Sequence, residues 1–384
     1  MNASFKANME NPTAEPAKTD ITSQKKEKKK KTAFREWLDA IVFAVIVATI
    51  VRWGFFAPYT IPTPSMEGTQ LVGDFLFVSK LAYGPRTPRT VLRIPLTDNK
   101  IWGTEMPAYV NWIQLPVFRI WGYTSVQRND IVVFNYPEDK MPVDMKTHYI
   151  KRCIAIAGDK IEVKEGLLYV NGEKAKIPPQ MQHVYKCESK GRVNPSNFID
   201  IGLSPSDVSE AEAENNLIIY HIHGTIDEAQ KLKESGWFTS VTRIVRSKEE
   251  ADVQNVFPSG AMGWSCDNFG PLTLPKKGAT IDMDETNVKI YGKTIKELDW
   301  NNKVELKDNG IYIDGKKIEK YTFKQDYFFM MGDNRHNSLD SRYWGFVPED
   351  HIVGRASFTW LSLDYNKTLF GGKIRLGRMF GGIY

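Results

Sequence analysis

Apolar residues form one long run near the start of the chain, and shorter, strand-length runs follow it. Residues 37–57 read WLDAIVFAVIVATIVRWGFFA and are apolar without interruption from Ala40 to Val51. A membrane span needs about 20 mostly apolar residues, and Trp37 and Trp53 stand where interfacial aromatic residues occur. The run therefore predicts a transmembrane anchor over 37–57.

Two other interpretations of this run fit the pattern less well. A helix buried in a protein core would normally show a polar face, and the stretch 40–51 has none. A cleaved secretory signal would have a shorter polar head and small residues at its end. Here a polar segment of 36 residues comes first, and the run ends at Ala57-Pro58. We therefore expect an anchor that is not cleaved.

The charges that flank the run predict its orientation. Residues 1–36 are polar and include a lysine run at 25–31, which is typical of a disordered tail. Between the apolar run and Lys80, Arg52 is the only basic residue. Because positive residues stay on the cytoplasmic side, we expect a cytoplasmic N-terminus and a single crossing. The chain after about residue 58 is then expected outside.

Strand patterns dominate the rest of the chain. The predicted strands are short, rich in β-branched and aromatic residues and closed by turn residues; they lie within 74–83, 130–137, 149–163 and 167–177. Asn171-Gly172 and Asp314-Gly315 predict hairpin turns. The stretches around these turns, 161–177 and 304–318, resemble each other, either through an old duplication or because both obey the same turn rules. A mainly β core over 58–177 and 301–384 follows.

An insert over 178–300 separates the two parts of this core. Strand patterns at 216–223 and 238–245 flank a helix pattern at 225–236, with Thr225 as its N-cap. We expect a second, smaller α/β or β domain here.

The stretch 85–125 has large aromatic residues among prolines. They are Trp102, Trp112, Phe118 and Trp121. Two interpretations stay open: an extended hairpin whose aromatic side chains reach a bilayer, or an ordinary hairpin in the core.

Charge and cysteine content exclude several functional classes. The formal net charge is only +5, and the basic cluster lies in the polar tail, so a nucleic-acid surface is not expected. The three cysteines have no zinc-ligand spacing; Cys187 and Cys266 either pair in an oxidising compartment or stay free. His221 and His223 share one strand face without a third ligand at suitable spacing. We expect no metal and no cofactor.

Ser65 is the first candidate for chemistry. It lies in PTPSMEGTQL (62–71), where two prolines hold the chain extended. The chain has no GxSxG elbow, no HExxH and no phosphate-binding glycine loop. A serine nucleophile without histidine needs another base, and a lysine serves if burial lowers its pKa. Lys151 lies in an apolar strand and fits, although a lysine there is also typical of a solvent-facing edge strand.

The stretch 330–348 is the second candidate. It is dense in Gly, Asp, Asn, Ser and Arg after an apolar run, which fits a buried hydrogen-bond network or a solvated loop. Asp340 and Arg342 are placed to pair, and Ser338 is placed to contact a lysine amine.

Taken together, these stretches resemble type I signal peptidases, the membrane-anchored serine peptidases that remove leader peptides from exported proteins. The motifs occur in the order of that family, with the insert matching least; they lie at 62–71, 128–139, 149–163, 332–348 and 352–360. The resemblance implies that Ser65 is the nucleophile and Lys151 the general base. It also implies an oxyanion hole from the Thr63 hydroxyl and the Ser65 N–H.

The resemblance implies supporting roles in 332–342 as well. Ser338 would orient the lysine amine, and Asp340 with Arg342 would form a supporting ion pair. The surrounding network would comprise Gly332, Asp333 and Asn334. The chain departs from the family pattern without losing a catalytic group; the departures are Gly68, Gln70, Ala155, Ala157 and His336.

The function implied by the resemblance is cleavage of signal peptides from exported precursors by a membrane-bound Ser–Lys endopeptidase. The family fold is an antiparallel β core with a less constant second domain. The implied place is the plasma (inner) membrane, beside the export machinery, with the catalytic domain on the outer, periplasmic side. Small-residue pockets are expected near Ile61, Phe75 and Tyr149.

Two alternatives remain at this point. One is an inactive, membrane-anchored β-rich relative that acts as a scaffold or binding protein. The other is a different serine–lysine peptidase, such as a self-cleaving regulator, against which the expected anchor and outside topology argue.

Overall fold

The structure is a computed structural model that describes residues 32–97, 99–214, 217–307 and 310–383. The predicted tail over 1–36 falls mostly outside the described residues, as does the lysine run at 25–31. The chain divides into two units, 1–44 and 45–384. Every tertiary contact given below lies within the second unit.

The first helix, α1 (Ala33–Gly54), covers most of the expected anchor. Along its second half, Val47, Ile50 and Val51 are exposed. Within the described part of the chain, however, no helix has the length and apolar character that crossing a membrane requires. The transmembrane span expected over 37–57 is therefore not confirmed, and the single-pass topology stays a prediction.

Four shorter helices follow among the described residues, and only one of them was predicted. They are α2 (Pro195–Asp200), α3 (Ile226–Glu234), α4 (Glu285–Glu297) and α5 (Ser341–Trp344). Helix α3 confirms the prediction, because the Thr225 hydroxyl accepts a hydrogen bond from the Glu228 N–H and the Glu228 carboxylate accepts one from the Thr225 N–H. The unpredicted α4 packs through Ile290, Tyr291 and Ile295.

Apart from short 3-10 turns, the other regular elements are strands, and every pairing between the described strands is antiparallel. In chain order they are β1 (Phe56–Thr60), β2 (Asp74–Ser79), β3 (Ile131–Asn135), β4 (His148–Ala155), β5 (Lys160–Lys164), β6 (Leu167–Val170), β7 (Glu173–Lys174), β8 (His183–Ser189), β9 (Val208–Glu214), β10 (Leu217–Gly224), β11 (Ser240–Arg243), β12 (Phe269–Thr273), β13 (Thr280–Asp282), β14 (Val304–Lys307), β15 (Gly310–Ile313), β16 (Lys316–Lys317), β17 (Lys320–Thr322), β18 (Tyr327–Met331), β19 (Val347–Pro348), β20 (Ile352–Ser362) and β21 (Gly381–Gly382). The expected mainly β, antiparallel core is confirmed.

The largest sheet carries the candidate catalytic residues. Its order is β1-β2-β20-β3-β4-β18-β19, and β21 pairs with β20. Strand β3 shows why the sheet is buried on both faces: Ile131 and Val133 pack in one apolar cluster, whereas Val132 and Phe134 pack in another. A strand buried on both faces is apolar throughout rather than alternating. Strand β4 lies next to it, in the interior of the sheet.

The middle of the chain forms a separate four-stranded sheet of order β11-β8-β10-β9. The β10-α3-β11 unit matches the predicted strand–helix–strand pattern, and β8 lies between its two strands. Strand β12, also within the predicted insert, instead pairs with β5 of the core. The exact domain boundaries at 178 and 300 stay a prediction.

Both predicted hairpin turns are confirmed. Asn171 and Gly172 have φ values of 54° and 87°, and Asp314 and Gly315 have 51° and 78°. Two consecutive positive φ angles define the turn that matches the twist of the flanking strands. The Asx-Gly pairs were therefore sufficient to predict both hairpin turns from the sequence.

The structure also decides two alternatives left open by the sequence. The aromatic side chains of 85–125 are exposed, with Trp112 at 85% and Trp121 at 88%, so this stretch is not an ordinary core hairpin. All three cysteines are buried thiols, and no disulfide joins Cys187 and Cys266.

Candidate active site

Ser65 stands in the middle of a short 3-10 turn, Pro64–Met66. Thr63 before it is extended, with φ −130° and ψ 151°, as expected for a residue that precedes proline. Met66 is fully buried and Ser65 is 7% exposed. Ser65 is therefore held between an extended residue, Thr63, and a fully buried one, Met66.

Gly68 explains one departure from the family pattern. Its φ is +87°, and a Cβ at this position would lie 2.5 Å from the Gln180 carbonyl oxygen. Proline, which is held near φ −65°, cannot adopt this conformation. The backbone after Ser65 therefore follows a path that requires glycine.

Lys151 lies on β4 with its amine directed at the serine. The Nζ atom is 2.7 Å from Ser65 Oγ and donates to the Ile150 carbonyl oxygen at 2.9 Å. It also lies 5.5 Å from the centroid of the Tyr149 ring. Strand β4 pairs with β3 on one side and β18 on the other. The interpretation of Lys151 as a solubilising edge-strand lysine is therefore wrong.

Burial lowers the pKa of this amine. Lys151 is only 4% exposed, and burial lowers its pKa to about 8, although Asp340 and Asp333 partly oppose the shift. Desolvation disfavours the charged form of a lysine. A neutral amine within hydrogen-bond distance of a serine hydroxyl is the arrangement that general-base catalysis requires.

The Thr63 side chain also lies near the Ser65 hydroxyl. Its Oγ1 is 3.4 Å from Ser65 Oγ. The position is compatible with a hydroxyl donor close to the atom that would attack a carbonyl.

A buried ion pair supports the start of the loop 332–342. Asp333 accepts hydrogen bonds from Arg152 Nε at 2.9 Å and Nη2 at 2.7 Å, and from the Thr69 hydroxyl at 2.6 Å. Arg152 follows Lys151 on β4, so one strand holds both the amine and the arginine that fixes the loop. This role of Arg152 was not predicted; a second charge within an apolar strand indicates that a buried partner is needed, but not which residue supplies it.

The expected pairing of Asp340 with Arg342 is present and fully buried. Arg342 Nε and Nη2 donate to the two carboxylate oxygens at 2.9 and 2.8 Å. Burial alone would raise the pKa of the Asp340 carboxyl, but Arg342 holds it below its usual range. The Gly332 N–H also donates to this carboxylate, at 3.1 Å, so the pair sets the path of the loop.

Ser338 and Gly332 face each other beside the nucleophile. A Cβ on Gly332 would overlap both the Ser65 carbonyl oxygen and the Ser338 side chain, so this close approach requires glycine. Ser338 is 8% exposed, and its hydroxyl has no hydrogen-bond partner among the described residues. The expected hydrogen bond from Ser338 to the lysine amine is therefore not formed.

Asn334 connects the nucleophile to the insert. Its N–H donates to the Ser65 carbonyl oxygen at 3.2 Å, and its side-chain oxygen lies 3.1 Å from His223 Nδ1. His223 is on β10 of the separate four-stranded sheet. From the sequence, His223 was expected to be an ordinary strand histidine rather than a metal ligand, and its contact with Asn334 was not predicted.

His336, another departure from the family pattern, binds the insert as well. Its Nε2 lies 2.7 Å from the Asp267 carboxylate. Together with Cys266 they form the one group of three potential metal ligands found in the described part of the chain. Two of these three potential ligands, Asp267 and His336, already bond to each other.

A cleft of about 680 Å³ opens over Ser65 and Lys151. Ile61 and Tyr149 line it, as expected, together with Leu339. Phe75 does not line it, because its ring packs on Trp360. The cleft therefore places open volume directly beside Ser65 and Lys151.

The comparison with known proteins agrees with this geometry. The sequence profile of the family described as signal peptidase, peptidase S26, matches residues 34–219 and 276–361. The chain belongs to this signal peptidase family. The matched segments include the serine turn, strand β4 and the loop 332–342, whereas much of the insert lies between them.

Relatives with the same name extend over most of the chain. It is 28% identical to signal peptidase I of Buchnera aphidicola over 357 residues, which cover 92% of this chain and 83% of the relative. Signal peptidase I of Haemophilus influenzae is 24% identical, covering 91% and 75%. Signal peptidase I of Rickettsia massiliae is 32% identical over 153 residues, 40% of this chain and 48% of that one.

Proposed function

We propose that this signal peptidase cleaves N-terminal signal peptides from exported precursor proteins by a Ser65–Lys151 dyad. The observation that carries the proposal is the 2.7 Å distance between Lys151 Nζ and Ser65 Oγ at the floor of a peptide-sized cleft. The family match and the names of the relatives support the same activity. No cofactor or metal enters the proposal.

The proposed reaction is acyl transfer in two steps. Neutral Lys151 takes the proton of the Ser65 hydroxyl as its oxygen attacks the scissile carbonyl, and the new amino terminus leaves with a proton. The signal peptide stays as an ester on Ser65. Water, activated by the same amine, then hydrolyses the ester and restores the hydroxyl.

Stabilisation of the developing oxyanion is assigned to Thr63 and Ser65. The Thr63 hydroxyl and the Ser65 backbone N–H would donate to the carbonyl oxygen as it becomes negative. Such a donor typically lowers the barrier by about 3 kcal/mol. The Thr63 hydroxyl is already at the nucleophile, 3.4 Å from its oxygen.

The remaining predicted residues are assigned positioning roles. Asp340 with Arg342 and Asp333 with Arg152 hold the loop that packs against the Ser65 backbone. Asn334 holds the Ser65 carbonyl oxygen. The Ser338 hydroxyl lines the cleft, and we assign it to orient the amine once substrate excludes water.

The place of action that we propose is the plasma (inner) membrane, with the cleft on the outer side, beside the export machinery. Exposed apolar residues of α1, such as Ile50 and Val51, would hold the enzyme in contact with lipid. A signal peptide is itself apolar and tethered, so attachment to the same bilayer raises the effective concentration of the scissile bond.

Cleavage of a leader-bearing precursor tests the dyad directly. Ser65→Ala and Lys151→Ala should each lower kcat/KM by about 10⁴-fold, because nucleophile and base act as one unit. Lys174→Ala, at an exposed position on β7, is the matched control and should be unaffected. Full activity in both dyad variants would contradict the assignment, and an inactive wild-type protein would favour the scaffold alternative.

The pH dependence tests the protonation state. A base is active only when deprotonated, so kcat/KM should rise about tenfold per pH unit below the Lys151 pKa of about 8 and level off above it. At pH 7 about one tenth of the amine would be neutral. A profile that is flat between pH 6 and 9 would exclude a lysine base.

A further inference from the structure

A second cavity opens next to the cleft that contains Ser65 and Lys151. Its volume is about 570 Å³, and five residues line both spaces. They are Tyr59, Thr60, Pro62, Thr147 and His148. Because Tyr59 and Thr60 end β1 and His148 begins β4, the two strands border the cavity as well as the cleft. A peptide that extends along the cleft past β1 would therefore reach this cavity.

The cavity, here called the basic cavity, has an excess of positive side chains in its wall. Among the described residues that line it, five are basic, namely Arg52, Lys80, Arg86, Arg93 and Lys146. Asp144 is the single acidic residue among the same described lining residues. Five basic and one acidic side chain leave an excess of four positive charges. A negatively charged or carbonyl-rich ligand therefore suits this space, and a cationic one does not.

The histidine at the junction of the two spaces shows that these charges converge there. Burial lowers the pKa of His148 to about 3, and four of the lining cations lower it further; they are Arg86, Lys80, Arg52 and Arg93. The imidazole is therefore neutral at neutral pH, and its ring lies 5.0 Å from the Tyr59 ring. The positive field of the cavity thus extends to the wall that it shares with the cleft.

Arg86 is held in place by acceptors that leave its charge intact. Its Nη2 donates to the Asn135 side-chain oxygen at 2.6 Å, and its Nη1 donates to the Asp350 carbonyl oxygen. An amide or carbonyl acceptor orients a guanidinium without neutralising it. The end of α1 is fixed at the same point, because Trp53 Nε1 donates to the Arg86 carbonyl oxygen at 2.8 Å.

The end of α1 indicates which side of the scissile bond passes the basic cavity. Thr49, Arg52 and Trp53 of this helix line the cavity. In the proposed membrane location, α1 contacts lipid, and the apolar signal peptide is the part of the precursor that stays at the same bilayer. The segment that leads from the cleft to the basic cavity is therefore the signal-peptide side, which precedes the scissile bond.

We propose that the basic cavity is a substrate subsite for the signal-peptide segment that lies a few residues before the scissile bond, where it favours carboxylates and free backbone carbonyls and rejects positive charge. The proposal rests on the function proposed above. Pro62 and Tyr59 stand three and six residues before Ser65. Since an extended peptide advances by about 3.3 Å per residue, we place the contact about four to six residues before the scissile bond.

The chemistry of the ligand follows from the shape of a signal peptide. Its apolar segment suits a helix at the bilayer, and a helix ends in carbonyl oxygens without partners and in the negative end of its dipole. Basic side chains next to such an end satisfy the carbonyls and stabilise it. An anionic lipid headgroup would also suit positive charge, but the wall shared with the catalytic cleft favours the peptide as occupant.

Cleavage of soluble peptides tests the charge preference without lipid. The full chain in neutral detergent is given two peptides with small residues before the bond, which differ only in Asp or Lys about five residues before it. The Asp peptide should have a kcat/KM about tenfold higher than the Lys peptide. High salt should bring the ratio close to one, because partly exposed charges are screened.

Charge reversal at Arg93 assigns the preference to the basic cavity. Arg93 is half-buried in the wall, and Arg93→Glu should lower the Asp-to-Lys ratio from about tenfold to about twofold or less. Arg93→Gln should give an intermediate ratio. The ratio cancels any general loss of activity in a variant. The matched control is Lys174→Glu, an equal change of charge at an exposed position on β7, which should leave the ratio at the wild-type value.

Binding of the same peptides to the Ser65→Ala chain separates this subsite from the proposed function. Fluorescence anisotropy should show tighter binding of the Asp peptide. If wild type cleaved neither peptide but this preference persisted, the proposed function alone would fail. Equal cleavage and equal binding of both peptides by an active enzyme would overturn the subsite, as would a charge effect found only after the scissile bond. Equal peptides with weaker binding of Arg93→Glu to phosphatidylglycerol vesicles would overturn it as well and would identify a lipid headgroup as the occupant.

Discussion

Charged side chains usually lie at the surface of a protein and large apolar ones in its interior, but the loop 332–342 and the apolar hairpin over 85–123 each depart from this distribution. In the loop, charged side chains are buried: Asp340 and Asp333 have no exposed surface. In the hairpin, tryptophans are exposed. Buried charges and exposed apolar patches are both costly in isolation, so each points to a requirement beyond folding.

The two regions differ in how the cost is offset within the chain. Each buried carboxylate of the loop has an arginine and further donors around it, so its charge is compensated within the protein. The exposed rings of the hairpin 85–123 find no such cover, although its backbone is held to the core at points such as Thr90, whose N–H and hydroxyl donate to Asp144. A charge-compensated polar network fits a preorganised catalytic site, whereas an uncovered apolar element fits a surface that needs a partner.

The largest expected effect lies in the loop. Asp340→Asn leaves the Arg342 guanidinium buried without its charge partner, which should lower the free energy of unfolding by about 3–5 kcal/mol. Denaturant titration of the full chain measures this. Glu285→Gln breaks an exposed pair with Lys289 and should change stability by less than about 1 kcal/mol. Equal effects of both substitutions would remove the contrast between buried and exposed pairs.

Local signals in the sequence predicted much of this arrangement. Asx-Gly turns, the cap at Thr225 and the apolar strand around Lys151 each depend on neighbours in the chain. Contacts between distant segments were not predictable in this way. The pairing of Arg152 with Asp333 and that of His223 with Asn334 depend on which strands become neighbours, and no local pattern encodes that.

Helix α4 and the hairpin show two further limits of predicting structure from the sequence. Gly292 and Thr294 weaken the helix pattern of 285–297, and the helix is stabilised by packing against the β core. The tryptophans of 85–125 fit a core or an interface equally well, because composition does not state burial. Only the fold decided between these alternatives.

The next largest effect is expected on kcat, through the stabilisation of the oxyanion by Thr63. Thr63→Val removes the proposed donor without changing side-chain volume much, and kcat should fall about 100-fold with little change in KM. Thr63→Ser keeps the hydroxyl and should retain most of the activity. If the valine variant were as active as the serine variant, Thr63 would have no part in stabilising the transition state.

A smaller effect tests the contact between the insert and the site. His223→Leu removes the hydrogen bond to Asn334, a loss of about 1 kcal/mol that corresponds to about fivefold in kcat. Steady-state kinetics with a soluble peptide measure this, and KM should stay constant. His223→Gln, which restores a side-chain donor, should recover part of the loss. No difference between the two variants would show that the insert does not position Asn334.

The smallest effect on stability is expected in the hairpin. Trp112→Ala should change the free energy of unfolding by no more than about 0.5 kcal/mol, because its side chain is 85% exposed in the free protein. The same substitution at Trp344, which is 6% exposed and packs on Phe134 and Tyr149, should cost about 3–5 kcal/mol.

In the presence of lipid vesicles, Trp112→Ala rather than Trp344→Ala is expected to change the stability that the protein gains from lipid. Vesicles that bind wild type stabilise it by mass action, and Trp112→Ala should lose part of that added stability, whereas Trp344→Ala should gain as much from vesicles as wild type does. Thermal unfolding with and without vesicles measures both. If Trp112→Ala were as destabilising as Trp344→Ala in the absence of lipid, the hairpin would belong to the core, and the contrast between the two regions would fail.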